Sequence, residues 1–160
     1  MLRLTLDSAW RFPRKSMKTL ISLGWFDRLA GAGPFLIRLA VGGAMVIHGS
    51  QKLFGDPGRF IGFVEKLGFP LPTIFGWAAI LAEFLGGIAL LLGLVTRWSA
   101  IFVAFTMGVA AFVAHANDGF NKQEYPLVLM LGALSLLASG GGRLSLDAWF
   151  FSKSAGDERL

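Results

Sequence analysis

The chain contains no cysteine. That excludes disulfides, thiol nucleophiles, cysteine-ligated iron–sulfur clusters and cysteine–zinc sites. It leaves the compartment open, because a membrane protein without cysteine fits either side. Charge is scarce as well: Asp, Glu, Lys and Arg make up 16% of the residues, against about 25% in an ordinary soluble domain. No Gly-rich phosphate loop is present, and no Glu-x-x-His pair of the kind di-iron bundles use. No long apolar segment with a small-residue cleavage site follows the basic start directly, so the opening does not read as a secretory signal. Met17, followed by Lys18, is a second candidate start.

What is present is apolar. Hydrophobic residues reach 54% of 160, with a mean hydropathy of +0.62, and the length allows one domain. The net charge of +5 does not point to nucleic acid, because six basic residues precede Pro34, where they act as a membrane topology signal. Four apolar runs follow, at about 34–54, 73–93, 98–116 and 125–139. A span needs about 20 residues to cross the hydrocarbon core, and the fourth run is slightly short. The expected fold is therefore all-α: an integral membrane antiparallel four-helix bundle. Short interfacial helices are expected at 17–29 and 59–69, where apolar residues recur at three- and four-residue spacing. Residues 1–33 read as a basic cytoplasmic or interfacial segment, 34–148 as the membrane domain and 149–160 as a cytoplasmic tail opening on the aromatic run Trp149–Phe151. With four spans both termini share a side, and Lys and Arg near the spans divide ten against four in favour of that side being cytoplasmic.

This topology gives each polar residue a depth. Glu83 lies near the middle of the second run, about 15 Å from either face at the helical rise. A carboxylate there must be paired or protonated, and intramembrane ionisable groups are functional candidates by default. His48 lies about 6 Å outward of the middle of the first run, with Lys52 one turn further out on the same face. His115 and Glu124 sit at the outer ends of the third and fourth runs. Thus His48, Gln51, Lys52, His115 and Glu124 are expected to ring the outer mouth of a pocket with Glu83 at its floor. The expected partner of Glu83 is His48, with Arg38 as the alternative and Lys52 less able to reach it. Each group also has a plain structural reading: Lys52 snorkelling to headgroups, His115 and Glu124 as interfacial residues, His48 as a packing histidine. Arg38, alone on the inner half, reads as a structural charge that reaches headgroups or pairs with Glu83. The two histidines and two carboxylates offer metal-ligand atoms without ligand spacing, so no metal site is expected.

Several of these pieces together resemble the DoxX family of small four-span bacterial membrane proteins. They are Arg38-Leu-Ala-Val-Gly42 leading to His48-Gly-Ser-Gln-Lys-Leu-Phe54, Ala82-Glu-Phe-Leu-Gly-Gly87, Leu91-Leu-Gly-Leu-Val-Thr-Arg97, His115 after a long apolar run, and Gly142-Arg-Leu-Ser-Leu-Asp147. Their order covers about residues 34–148. The resemblance implies an inner-membrane location and a link to quinone-coupled oxidoreduction, since the family is named after a subunit associated with thiosulfate:quinone chemistry. The polar positions carried over are Arg38, His48, Lys52, Glu83 and His115. On that reading Glu83 and His48 carry the chemistry, with Glu83 relaying protons, while Lys52, Gln51, His115 and Glu124 hold a quinone or a small anion. Quinone is the one cofactor implied, because no flavin, haem or iron–sulfur motif is recognisable. The partners implied are the lipid bilayer and either other subunits or a second copy. The alternative is a non-catalytic anchor or stabilising subunit of a larger redox complex. A small transporter is a third reading, weakened by having only four spans and no inverted repeat.

Overall fold

The computed structural model describes residues 31–150, and among these it is helical with no strand. The helices are α1 (Gly33–Phe54), α2 (Pro57–Lys66), α3 (Pro72–Leu92), α4 (Thr96–Val109) and α5 (Phe120–Ser139). α4 runs on through a π-helical turn, Ala110–Ala114. The helix expected over 17–29 and the end of the tail lie outside the described residues. Among the described residues three helices are long and apolar enough to cross a membrane: Gly33–Phe54, Pro72–Leu92 and Thr96–Ala114. α5 is of similar length, but its first turns carry Lys122, Gln123 and Glu124.

Each long helix buries a stripe at alternating spacings of three and four. On α1 the stripe is Arg38, Gly42, Met45 and Gly49. On α3 it is Gly76, Ile80, Glu83, Gly87 and Leu90. On α4 it includes Thr96, Ala100, Val103 and Met107, and on α5 Pro126, Leu129, Ala133 and Leu136. Such a stripe keeps one face of a helix against its neighbour over several turns, the geometry of near-antiparallel packing. α1 packs on α3, α3 on α4, α4 on α5, and α5 returns to α1. The opposite faces are apolar and exposed, as at Leu36, Leu85, Phe105 and Val128.

Glycine sets the closest approach. A Cβ on Gly42 would lie 2.9 Å from the Gly87 carbonyl oxygen, and one on Gly87 2.8 Å from the Val46 nitrogen. A Cβ on Gly49 would lie 2.5 Å from the Phe84 nitrogen. The two backbones therefore touch, as small residues allow in membrane helices. Gly42 also meets Leu91 while Gly49 meets Phe84, so α1 and α3 run antiparallel in a fixed register.

At one end of this pair Arg38 is 1% exposed and acts as a clamp. Its Nε donates to the Leu90 carbonyl at 2.7 Å and its Nη2 to the Leu91 carbonyl at 2.6 Å. Its Nη1 donates to Gly141 at 3.0 Å and Leu144 at 2.7 Å. The last carbonyls of a helix have no intrahelical donor and carry its negative dipole end, so a buried cation satisfies both needs. Arg38 thus neither reaches headgroups nor pairs with Glu83, the two roles expected of it. The turn beside it is completed by Asp147. Its carboxylate accepts from the Val95 and Thr96 amides at 2.7 and 2.8 Å, capping α4, and its own amide donates to Gly93. Gly93 has φ +67, and a Cβ there would fall 2.6 Å from the Arg38 guanidinium carbon.

Arg38→Lys keeps the charge but loses the planar fork. It should leave buried carbonyls unpaired at a cost of about 1–3 kcal/mol, read as a lowered midpoint of thermal unfolding in detergent. An unchanged midpoint would show that the clamp contributes nothing to stability.

Candidate functional site

Glu83 is buried, 2% exposed, in the middle of apolar α3. Its partner is Lys52 of α1, whose Nζ donates to Oε1 at 2.5 Å and Oε2 at 2.6 Å. The Lys52 side chain is 26% exposed, and its Nζ also lies 4.5 Å from the centre of the Phe60 ring of α2, a cation–π contact. The expected ranking, His48 before Arg38 and Lys52 last, is therefore reversed. That ranking compared backbone depths. Gly49 lies level with Phe84, so Lys52 starts less than one turn outward of Glu83, and its long stem covers the difference. His48, one turn below Lys52 on α1, turns to α5 instead: its Nε2 is 3.0 Å from the Tyr125 hydroxyl, with the two rings 5.4 Å apart.

Beside the Lys52–Glu83 pair is a cavity of about 510 Å³ between α2, α3, α4 and the π turn. Its walls are rings and small side chains: Phe60 and Phe63 of α2, Phe69, Phe75 and Ala82 on and before α3, Phe102 and Phe105 of α4, and Ala110 and Ala114 of the π turn. α2, expected as a helix lying in the interface, thus supplies a wall of the cavity. Phe63, Phe75, Phe102 and Phe105 are themselves exposed, so this wall is also part of the apolar outer face of the helices. In the π turn the His115 amide donates to Ala110 at 3.0 Å, one residue further back than in an α-helix. Such turns accommodate an extra residue and recur at functional sites.

His115 lines the same cavity at its outer end. Its Nδ1 is 2.8 Å from Asp118 Oδ2, and the Gln123 amide donates to the His115 and Ala116 carbonyls. Lys122 Nζ stands 3.5 Å from the same Asp118 oxygen. The hydrogen bond from His115, and then the charge of Lys122, hold the Asp118 carboxyl below the usual carboxylate range.

Of the five groups expected at one mouth, the cavity takes Lys52 and His115, with Glu83 beside them. His48 and Gln51 lie off it, as does Glu124, and the last two are exposed. Among the described residues no group of three or more His, Asp or Glu is placed to hold a metal ion. Tyr125, Asp118 and the aromatic wall were not foreseen. Their signals were present: Asp118 stands four residues from Lys122, and Phe60/Phe63 and Phe102/Phe105 each recur at a three-residue step.

The DoxX family profile matches residues 33–116. Two Escherichia coli proteins named as inner membrane proteins are similar. YqjF is 31% identical over 75% of this chain and 93% of its own length, and YphA 31% identical over 79% and 97%. CatD of Bacillus subtilis, whose oxidoreductase label is provisional, is 28% identical over 74% of this chain and 87% of its own. No solved structure matches the chain.

Removing one member of a buried pair strands the other. Lys52→Met should destabilise the protein by up to about 3–5 kcal/mol, and the double change Lys52→Met with Glu83→Leu should recover most of that. Thermal unfolding of the three proteins checks this, and a neutral single variant would refute it. Asp118 supplies a pH prediction. Its folded pKa lies below its unfolded value of about 3.9, so its stabilising contribution is present above that value and lost as pH falls through the folded one. In His115→Phe, Asp118 should titrate nearer the ordinary carboxylate range, as seen by carbon NMR of the carboxyl, and this acid loss should shrink.

Proposed function

The chain belongs to the DoxX family, and from that premise we propose that it is the membrane component of a quinone-linked oxidoreductase, holding a quinone in the aromatic cavity. One observation carries the reading: a paired lysine and carboxylate on the wall of an apolar, ring-lined cavity whose rings are partly exposed on the outer face. The pair is neutral overall. Lys52 Nζ has a third hydrogen to donate to a ring carbonyl, and Glu83 has lone pairs to accept from a ring hydroxyl. Phe60, Phe63, Phe102 and Phe105 offer faces and edges to a flat ring. A small anion fits less well, because the charge of Lys52 is already met by Glu83. The exposed rings of that wall suit a ligand that arrives dissolved in the bilayer.

In this reading a bound quinone carries the electrons, and a partner subunit's redox cofactor exchanges them with it. The chain's own residues bind the ring, orient its oxygens toward Lys52 and Glu83, and keep water out. α5 is taken as a fourth span, completing an antiparallel four-span bundle, and the excess of basic residues near the termini supports a cytoplasmic side for both ends. The provisional label of CatD points the same way. One observation favours the accessory reading, a non-catalytic anchor within a larger complex: Lys52 and Glu83 already satisfy each other, as interhelical glue would.

The two readings separate on ligand binding. A short-chain quinone added to the protein in nanodiscs at 100 times its Kd should stabilise it by about 2.7 kcal/mol. Ala82→Phe, which fills the cavity, should abolish that gain without lowering unliganded stability. Absence of any shift with either quinone or quinol, together with no quinone in lipid extracts of the purified protein, would leave the anchor reading in its place.

A further inference from the structure

His115 follows the π turn at the start of the α4–α5 connection. It lines the cavity, yet its side chain is 35% exposed, so it touches both the cavity and the surroundings of the α4–α5 connection. The Asp118 carboxylate, held in its ionised form, has no hydrogen to give. The 2.8 Å contact therefore requires Nδ1 of His115 to be the donor. Neutral His115 is then the Nδ1–H tautomer, with a lone pair on Nε2. Its backbone is fixed at the same time, by the π-turn hydrogen bond to Ala110 and by Gln123 on its carbonyl.

We propose that His115 and Asp118 form the proton port of the cavity. Asp118 is the positioning residue: it holds Nδ1–H and so fixes the ring orientation and the tautomer. Nε2 takes a proton from a ring hydroxyl bound in the cavity, the O–H bond breaking as the N–H bond forms, and releases it to the water at the end of α4. The reverse transfer protonates a ring oxygen. This rests on the quinone reading of the cavity and adds to it the route by which protons enter and leave. The charged groups around the imidazole are Asp118 of the connection and Lys122 of α5 on the water side, and Lys52 of α1 and Glu83 of α3 along the same cavity. Glu65 and Lys66 of α2 and Glu124 of α5 are exposed and do not line it. Lys52 and Glu83 are engaged with each other, which leaves His115 as the group with a free proton site.

The test uses the full-length protein in nanodiscs, with decylubiquinol and decylubiquinone as probes and affinities measured from about pH 5 to about pH 8, the window in which histidine titrates. Neutral His115 accepts from the quinol, whereas protonated His115 donates to the quinone. The ratio of quinol to quinone affinity should therefore rise with pH, by roughly tenfold, the worth of one hydrogen bond. His115→Phe should flatten that rise. Asp118→Ala should flatten or displace it while both ligands still bind, and nitrogen NMR of the two histidines should show His115, not His48, losing its single tautomer. A purely structural Asp118 would lower stability and leave the pH profile and the tautomer as in the wild type. Binding of both probes with a ratio indifferent to pH, or a rise that survives both substitutions, would overturn the port and leave the quinone site standing. Failure of both probes to bind the wild-type protein, with no quinone in its lipid extract, would overturn both.

Discussion

Inside a bilayer no water is available to a polar group, so each must find its partner in the protein. The structure meets that constraint chiefly on α1. Arg38 and Lys52 lie about four turns apart on one face of the helix, and both reach α3. Arg38 takes the Leu90 and Leu91 carbonyls at the end of α3, and Lys52 takes the carboxylate in its middle. Gly42, Gly49 and Gly87 lie between the two contacts and let the backbones meet. The polar contacts work only at that separation, and that separation is tolerable only because the polar groups are paired. The cavity depends on the same arrangement, since the ion pair forms part of its wall.

The sequence made part of this legible. The burial of Glu83 followed from its depth in an apolar run, and the extents of α1 and α3 followed from their length and flanking prolines. The partner of Glu83 did not follow. Depth along a helix says where a Cα sits, not how far a lysine stem bends back nor which neighbour lies to the side, and His48 went to Tyr125 for that lateral reason. The role of Arg38 was hidden for another reason: it binds backbone carbonyls, and a helix end carries no side-chain signature of what caps it. The π turn was equally invisible, because it is a shift in hydrogen-bond partner rather than a change in residue type. The segment 59–69 read correctly as amphipathic, but periodicity gives a face and not what that face covers, and Phe60 and Phe63 line a cavity.

The cavity gives the family resemblance a physical location. In the reading proposed above, its rings and its neutral pair would take the flat apolar body and the polar oxygens of a ligand. The polar groups divide between two ends of α1 and two kinds of task. Arg38 and Asp147 close the turn around Gly93 and hold α3, α4 and the 141–147 segment together. Lys52, Glu83 and His115 face a space large enough to hold something else.

The double attachment of α1 to α3 also limits how the chain can change length. Inserting or deleting one residue between Arg38 and Lys52 would turn one end of α1 by about 100° relative to the other. Only one of the two contacts could then form, and the glycines between them would meet side chains. The same holds for α3 between Glu83 and Leu91. Length changes within this helix pair would have to be matched on both helices at once, like teeth added to two meshed racks. The connection at 67–71 is under no such restriction. Relatives that differ in length should therefore carry gaps there rather than within α1 or α3, and keep the distance from the arginine to the lysine unaltered.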